Sequence, residues 1–344
     1  MRVALVCRTG PPLRGGLETW VGGLAIAAAA AGHDVRVVTL DRRPTDGARL
    51  TGEIGVPTVR LPMWGHRRYP FAAGVSAACE GVDVVHVFAV DGLLDALLWR
   101  RPAPVGVSTA GLFHHGGGGI AQALMLAAWS RHQLRRVNGL WFTSSVDQLR
   151  LPGLPGRVLA PGLDLSRQLA ASRAPEVGRW LVPGRIDRHK GHVDLFRAVA
   201  AMPVRPQIRV AGGGALAEPR AVARALGLDV TWVGEVSDAD WADELTRCEV
   251  ALFPSRFESF GLAVVEAMAS GVPCVVHPGG ALVERVRDGV DGAVVDFRDS
   301  ETAAKLLGRP VAASWGNEAR RSAQAVDWQV RLADHEAAWA EAAA

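Results

Sequence analysis

The stretch PSRFESFGLAVVEAMASGVP, residues 254–273, is the strongest indication of fold in this chain. The apolar run 250–253 precedes it and 273–276 ends it, which predicts strand, loop, helix and strand in that order. Two carboxylates, Glu258 and Glu266, flank a glycine loop with seven residues between them. Loop-to-helix junctions after strands bind anions, because unpaired amides and the helix dipole point at the ligand. Carboxylates on both sides suit a ligand with hydroxyls as well as phosphate, such as a sugar nucleotide.

The same alternation of apolar runs and helical stretches extends through both halves of the chain, which are separated by a polar, irregular segment at 166–178. Repeated βα units indicate parallel sheets with right-handed crossovers. We therefore predict an α/β protein with two Rossmann-like domains, 1–165 and 175–321, facing across a cleft. The Ala-rich stretch 322–344 is expected to form a helix that packs back on the first domain.

Composition narrows the class of function. The 344 residues carry a net charge of +3, and a basic cluster of the kind that nucleic-acid binders show is limited to the short run 66–68. Nucleic acid is therefore not an expected partner. The four cysteines are widely spaced and form no CxxC pair, and Cys7 and Cys274 lie in apolar runs typical of strands. This favours buried free thiols at those two positions and a cytoplasmic protein. No apolar run approaches the roughly 18 residues of a membrane span, and peripheral membrane contact stays open.

Two cations, Arg185 and Lys190, lie in the turn after the predicted strand 180–182. Arginine and lysine at such a turn can neutralise a diphosphate and stabilise the charge on a departing nucleoside diphosphate. Lysine is rare in this chain, because Lys190 and Lys305 are the only two among 38 basic residues. Its position therefore carries weight. The alternative is a solvated loop charge that pairs with Asp187.

Glu258 and Glu266 have different predicted roles. Glu266 falls in the second turn of its helix, where a carboxylate can accept both hydroxyls of a ribose. Glu258 precedes the glycine loop, where it can hold sugar hydroxyls or lie near the anomeric carbon. The alternatives are a solvated helix residue for Glu266 and a dipole-favoured acid at the helix start for Glu258.

These residues resemble the motifs of the retaining GT-B glycosyltransferases of glycosyltransferase family 4, also called glycosyl transferases group 1. The resemblance covers nearly the whole chain and is strongest from 181 to 276. It implies the GT-B fold and transfer of a sugar from a nucleoside-diphosphate sugar, as co-substrate, with retention and without a metal or other cofactor. The matching motifs occur in the family's order at 15–16, 184–187, 190–191, 211–214, 233–236, 253–255, 258–266 and 327–328.

The resemblance also implies site residues. Arg185 and Lys190 would bind the diphosphate, Glu266 the ribose and Glu258 the transferred sugar, so that Arg185, Lys190 and Glu258 form the catalytic set. Backbone at 233–236 would hold the base. The other implied donor contacts are Gly16, Gly184, Gly234, Val236, Ser259, Phe260, Gly261 and Leu262.

The acceptor site is predicted in the first domain, from Gly15, Trp64, Arg68 and His114. The aromatic and basic segment 64–71 could stack a sugar ring or hold an anionic acceptor. The alternative is a surface loop with buried anchors.

One position departs from the family pattern. Many relatives carry a histidine where this chain has Ala110, and either His114 or His115 is a candidate replacement. The departure keeps two other functions open. One is a nucleotide-sugar-binding protein without turnover, and the other is a pseudo-glycosyltransferase or epimerase on the same scaffold.

Overall fold

The computed structural model describes residues 1–11, 15–41, 54–66, 69–110 and 128–344, with the backbone alone at positions 41 and 66. These residues form two compact units. Unit 1 comprises 1–164 and 326–344, and unit 2 comprises 165–325.

The segment 166–178, read from the sequence as a linker, is bound to unit 2. The Ala174 amide donates to the Thr246 carbonyl at 3.0 Å. The Arg173 guanidinium donates to the Gly271 carbonyl at 2.9 Å. These contacts satisfy backbone groups that a free linker would leave to water.

Unit 1 is built on one parallel sheet and a separate antiparallel hairpin. The strands of the sheet are β1 (Arg2–Cys7), β2 (Asp34–Asp41), β3 (Thr58–Pro62), β6 (Val84–Val87), β7 (Val105–Ser108), β8 (Gly139–Phe142) and β9 (Arg157–Val158), and those of the hairpin are β4 (Trp64–His66) and β5 (Tyr69–Phe71). Their order in the sheet is β3-β2-β1-β6-β7-β8-β9. The segment 64–71, predicted as a loop, is thus a hairpin across the residues described there.

Helices cover both faces of this sheet. Successive residues of β1 point to opposite faces, since Val3 and Leu5 join one apolar cluster while Ala4 and Val6 join another. This near-continuous apolar run is typical of a strand that is buried on both faces. The helices of unit 1 are α1 (Gly16–Ala30), α2 (Val75–Ala78), α3 (Gly92–Arg100), α4 (128–134), α5 (Ser145–Arg150) and α13 (Trp328–Ala343).

Helix α13 completes the core of unit 1. Trp339 is fully buried, and its indole Nε1 donates to Nδ1 of buried His86 at 3.2 Å. The other ring nitrogen of His86, Nε2, lies 2.8 Å from the Ser108 hydroxyl. Burial lowers the pKa of His86 well below its ordinary value, and His335 lowers it further. The helix therefore covers a neutral polar group inside the unit.

Unit 2 contains a second parallel sheet. Its strands are β10 (Arg179–Pro183), β11 (Gln207–Ala211), β12 (Val230–Gly234), β13 (Val250–Phe253), β14 (Cys274–Val276) and β15 (Gly292–Val294). Their order is β12-β11-β10-β13-β14-β15, so the first strand of the unit is central. The helices are α6 (Ser166–Ala170), α7 (His192–Ala200), α8 (Ala217–Ala225), α9 (Asp238–Arg247), α10 (Leu262–Ala269), α11 (Ser300–Leu307) and α12 (Trp315–Gln324), with 3₁₀ turns at Arg188–Lys190 and Gly280–Glu284.

All four cysteines, at 7, 79, 248 and 274, are buried free thiols, which the sequence predicted for Cys7 and Cys274. Burial raises the pKa of the Cys7 thiol to about 12, so it is a protonated packing group at neutral pH. Across the described ranges, no helix combines the length and the apolar character needed to cross a bilayer.

Candidate functional site

The predicted donor residues of unit 2 lie at one edge of its sheet. Arg185 and Lys190 follow β10, and Glu258 follows β13. Gly234 is the last residue of β12, and Val236 follows that strand. These loops leave the carboxyl ends of strands that lie close together in the sheet, which is where open parallel sheets bind ligands. The fold thus brings together residues that are up to 82 positions apart in sequence, from Gly184 to Glu266.

The loop after β10 is held by backbone contacts to its neighbours. The Ile186 amide donates to the Gly213 carbonyl at 2.8 Å, and the Arg256 amide donates to the His189 carbonyl at 2.7 Å. Gly191 has φ 70°, and a Cβ there would lie 2.1 Å from the Pro254 carbonyl oxygen. Glycine at this position therefore allows the loop that carries Lys190 to pack directly on the loop that carries Glu258.

Lys190 and Glu258 form an ion pair. The Lys190 ammonium donates to Oε1 of Glu258, and the two side chains are 20% and 23% exposed. The sequence placed both residues in the donor site but did not predict this contact. Partial exposure leaves both charged groups accessible to a ligand, so the pair can exchange partners.

The backbone of Glu258 is supported by Gly280, which the sequence analysis did not include. The Ala281 amide donates to the Glu258 carbonyl at 2.8 Å. Gly280 has φ 67°, and a Cβ there would lie 2.3 Å from the same carbonyl oxygen. The available signal was the Gly-Gly pair at 279–280, three residues after β14.

Hydrogen-bond donors are available around this pair. The Arg185 side chain is exposed and has no ion-pair partner among the residues that the structure describes. Gly261, with φ 88°, ends the glycine loop and caps α10. Helix N-termini leave their first amides without intrahelical acceptors, so α10 directs such donors at this edge of the sheet.

Glu266 lies in a different environment from Glu258. It is partly buried on α10, and Nε1 of Trp241 donates to its Oε2 at 3.2 Å. Burial raises the pKa of Glu266 to about 7. The Trp241 hydrogen bond favours the ionised form and lowers this pKa, whereas the negative charge of nearby Asp238 raises it. A carboxylate of this kind can change its protonation state when a ligand binds.

Trp241 was not identified from the sequence. It lies in the first turn of α9, whose start is fixed by a capping box between Ser237 and Asp240. That local signal places the residue close to the end of β12. The contact to Glu266 joins positions 25 residues apart, and no pattern in the sequence specifies it.

In unit 1, the structure describes part of the predicted acceptor and donor residues. Gly15 precedes α1, which begins at Gly16, and the Thr19 amide donates to the Gly15 carbonyl at 2.9 Å. Trp64 lies in β4 and is 66% exposed. Two predicted acceptor residues, Arg68 and His114, lie outside the described residues, as does His115.

Ala110 follows β7 in an unusual backbone conformation. Its φ is 42°, a left-handed value that is uncommon for a residue with a Cβ. Its amide donates to the Thr143 hydroxyl at 3.0 Å. The position at which the family resemblance expected histidine is therefore held by a hydrogen bond in a strained conformation.

Two family models match the chain, one in each half. The family model described as "Glycosyl transferases group 1" matches residues 174–322. The model described as "Glycosyl transferase 4-like domain" matches residues 15–157.

Two curated relatives are similar over most of the chain. A GDP-mannose:cellobiosyl-diphosphopolyprenol alpha-mannosyltransferase from Xanthomonas oryzae pv. oryzae is 30% identical, covering 88% of this chain and 86% of its own length. A GDP-mannose-dependent alpha-(1-6)-phosphatidylinositol dimannoside mannosyltransferase from Mycobacterium tuberculosis is 26% identical, covering 96% and 93%.

Solved structures share the fold. A sucrose-phosphate synthase from Thermosynechococcus elongatus has a TM-score of 0.77 at 20% identity, covering 98% of each chain. Anabaena HepE in complex with UDP has a TM-score of 0.78 at 16% identity, covering 98% of this chain and 99% of its own. These similarities confirm the predicted α/β class and the GT-B fold with two Rossmann-like domains.

Proposed function

The chain belongs to the glycosyl transferases group 1 family, and from this premise we propose that it is a retaining mannosyltransferase that uses GDP-mannose and a lipid-linked acceptor. The family establishes glycosyl transfer. The named donor is supported by relatives whose own donor is GDP-mannose. The acceptor class is supported in the same way, because one relative acts on a diphosphopolyprenol-linked sugar and another on a phosphatidylinositol dimannoside.

The observation that carries the proposed donor site is the Lys190–Glu258 ion pair, whose lysine shares the loop after β10 with exposed Arg185. A donor diphosphate brings more negative charge to Lys190 than one carboxylate does. Lys190 would therefore turn to the diphosphate, with Arg185 binding it in a fork. Glu258, released from the pair, would accept hydrogen bonds from the hydroxyls of the sugar. Ligand binding would thus replace an internal contact with two contacts to the donor.

The transfer step breaks the bond between C1 of the sugar and the diphosphate oxygen, and the electron pair leaves with GDP. The acceptor oxygen attacks C1 on the same face, so the configuration is retained. The acceptor proton passes to the departing phosphate oxygen. Arg185 and Lys190 stabilise the charge that develops on this oxygen, which is the largest contribution that fixed cations make to such reactions.

Glu266 would bind the ribose of the donor. Its carboxylate accepts hydrogen bonds from the two ribose hydroxyls in place of solvent, and Trp241 keeps one carboxylate oxygen oriented. Backbone near Gly234 and Val236 would hold the base. A metal is not assigned a role. No group of three or more candidate metal-binding side chains occurs among the residues described, and metal independence stays a prediction.

The first test is nucleotide binding followed by product analysis. Thermal stabilisation by GDP, UDP, ADP and dTDP is compared at one fixed concentration, and a nucleotide present at ~100 times its dissociation constant adds ~2.7 kcal/mol to the folded state. We expect the largest shift with GDP and its loss in Lys190→Ala. NMR of the product with a polyprenol-linked oligosaccharide should show an α-linked mannose, also after EDTA treatment. A β-linked product, or a requirement for added metal, would contradict the retaining, metal-independent mechanism.

One observation supports an alternative, a protein that binds a sugar nucleotide without transferring its sugar. Ala110 replaces the histidine that many relatives carry, and its backbone is held in a left-handed conformation. The same experiment separates the two functions. A GDP shift without product from any lipid-linked acceptor, and without epimerised donor, would favour the binding protein.

A further inference from the structure

Unit 1 exposes a group of large aromatic side chains. Trp99 is 87% exposed, Trp64 66%, and Phe71 and Trp129 46% each. These four are all of the exposed tryptophan and phenylalanine side chains in the part of the chain that the structure describes. Exposed aromatic groups of this size mark interaction surfaces, because soluble proteins otherwise bury them.

Three of these four aromatic residues, Trp64, Phe71 and Trp129, are connected through Tyr69. The Tyr69 hydroxyl donates to Asp95 on α3 and accepts from Nε1 of Trp129 at 2.7 Å. The Phe71 ring packs edge-on against Tyr69 with centroids 5.6 Å apart, and Trp64 is paired with Phe71 across the hairpin. Contacts to Tyr69 therefore join the hairpin, α3 and α4, which carry these aromatic side chains.

Trp99 extends the same surface along α3. It lies four residues after Asp95 and so on the same face of the helix. Trp99 also lines a cavity of about 530 Å³ with Ala72, the residue that follows Phe71. We call Trp64, Phe71, Trp99 and Trp129 the aromatic surface.

Arginines lie beside this surface. Arg100 and Arg101 end α3, and Arg135 and Arg136 follow α4; all four are exposed. The Arg101 guanidinium donates to the Arg136 carbonyl at 2.7 Å, which joins the two helix ends. The carboxylates nearby are Asp95, which is hydrogen-bonded to Tyr69 and Gln133, and Glu80, which lines the cavity. The four arginines outnumber these two carboxylates, so the charge around the aromatic surface is predominantly positive.

We propose that the aromatic surface and these arginines dock unit 1 on an anionic lipid bilayer. Tryptophan and tyrosine rings favour the boundary between head groups and acyl chains, where one end of the ring is apolar and the other is wet. Arginines add attraction to anionic head groups, and stable attachment without a spanning helix needs both contributions. Docking would bring the enzyme to the lipid-linked acceptor proposed above. The biological role of docking rests on the proposed function, but binding of the protein to the bilayer needs neither donor nor acceptor.

The test is co-flotation of the full chain with vesicles of phosphatidylcholine containing 30% phosphatidylglycerol. We expect the protein to float with these vesicles, to dissociate in 0.5 M NaCl, and to bind pure phosphatidylcholine at least tenfold more weakly. Trp64→Ser with Trp99→Ser should reduce anionic-vesicle binding at least tenfold. Arg100→Glu with Arg135→Glu should reduce it to a similar extent.

Matched control variants lie in unit 2. Val177 and Val204 are 93% and 80% exposed, and changing both to serine should leave flotation unchanged. Arg224→Glu with Arg309→Glu makes the same change of charge at exposed sites in that unit. The melting temperature of each variant without nucleotide shows whether it is folded.

Three results would overturn the proposal. The wild-type chain could fail to float with anionic vesicles, or the aromatic variants could float as well as their controls. Alternatively, a concentration-dependent dimer that Trp99→Ser abolishes would assign the surface to a second copy of the chain. Failure of the proposed function would look different. A chain that floats normally with anionic vesicles but is not thermally stabilised by any nucleotide would support the docking surface and contradict the proposed donor.

Discussion

The two units place a cation–carboxylate pair at equivalent positions, but the pairs have different consequences. In unit 1, Arg8 follows β1 and Asp91 follows the adjacent strand β6, with Arg8 Nε 2.9 Å from Asp91 Oδ2. In unit 2, Lys190 follows β10 and Glu258 follows the adjacent strand β13. Topology therefore gives both pairs the same location, at the carboxyl ends of two central strands.

Burial distinguishes the two pairs. Asp91 is fully buried and is also the N-cap of α3, since its Oδ1 accepts from the Leu93 amide at 2.9 Å. Its burial raises its pKa to about 6, against the effect of Arg8 and the cap amides. The Lys190 and Glu258 side chains, by contrast, remain partly exposed. The Arg8–Asp91 pair is thus committed to the fold through the cap of α3, whereas the accessible Lys190–Glu258 pair can exchange its partners for a ligand.

The largest expected effect comes from breaking the accessible pair. Lys190→Ala should reduce kcat/KM by about 10²–10³, the usual cost of removing one fixed group that stabilises a developing anion. Its melting temperature should change little, because the lost ion pair is partly solvated. Lys305→Ala, which removes the other lysine of the chain from an exposed position on α11, is the matched control. Activity of Lys190→Ala within twofold of the control would contradict the role of the accessible pair.

A smaller effect is expected from moving Glu258 without removing it. Gly280→Ala places a Cβ 2.3 Å from the Glu258 carbonyl oxygen, so the loop must shift, and we expect kcat/KM to fall about tenfold through loss of orientation. Gly289→Ala is the control. It has a similar φ of 74° but nothing within 4 Å of the new Cβ, so it should carry the backbone strain alone. Equal losses of activity in the two variants would show that strain, and not the position of Glu258, causes the effect.

Glu266, the other carboxylate of the candidate site, should make nucleotide affinity depend on pH by at most about tenfold. Ligand-free Glu266 holds its proton below pH ~7, and ribose hydroxyls donate to the ionised form, so nucleotide affinity should rise between pH 6 and pH 8. Calorimetric titration measures this change. Glu266→Gln should remove the part of this change that is due to Glu266 and leave only the part that comes from ionisation of the nucleotide's own phosphate. Identical pH profiles in the wild type and in Glu266→Gln would assign the titration to another group.

The smallest effect is expected at the committed pair. Asp91→Asn keeps a side chain that caps α3 but removes the negative charge beside Arg8. Burial already disfavours the ionised form of Asp91, so removal of its charge should cost little, and Arg8 is partly exposed and can turn to water. We therefore expect the free energy of unfolding to change by less than about 1 kcal/mol and the melting temperature by less than about 4 °C, as measured by differential scanning calorimetry. The dissociation constant for GDP should be unchanged, and a weakened affinity would remove the distinction between the two pairs.

The sequence predicted most of unit 2 because its signals are local. Strands Val250–Phe253 and Cys274–Val276 occur at the expected residues, since fully buried parallel strands appear as short apolar runs. The turn glycines and the cations between strand and helix were visible for the same reason. The contacts Lys190–Glu258 and Trp241–Glu266 were not, because each depends on how distant loops meet.

Prediction was weaker in unit 1. The hairpin of β4 and β5 was read as a loop, because a three-residue strand has too few positions to show alternation. Strands β3 and β15, at the edges of the two sheets, were also missed. Edge strands are less apolar than central ones, so their pattern resembles that of loops.

The discontinuity of unit 1 has a consequence for biosynthesis. Its core includes α13, yet the whole of unit 2 lies between α13 and the rest of unit 1 in the chain. A ribosome therefore finishes unit 2 before it supplies the indole of Trp339 that covers His86. Unit 2 can fold as one continuous piece, while the nascent unit 1 keeps an uncovered apolar face for that interval. Truncation before Trp328 would accordingly damage the unit that was synthesised first.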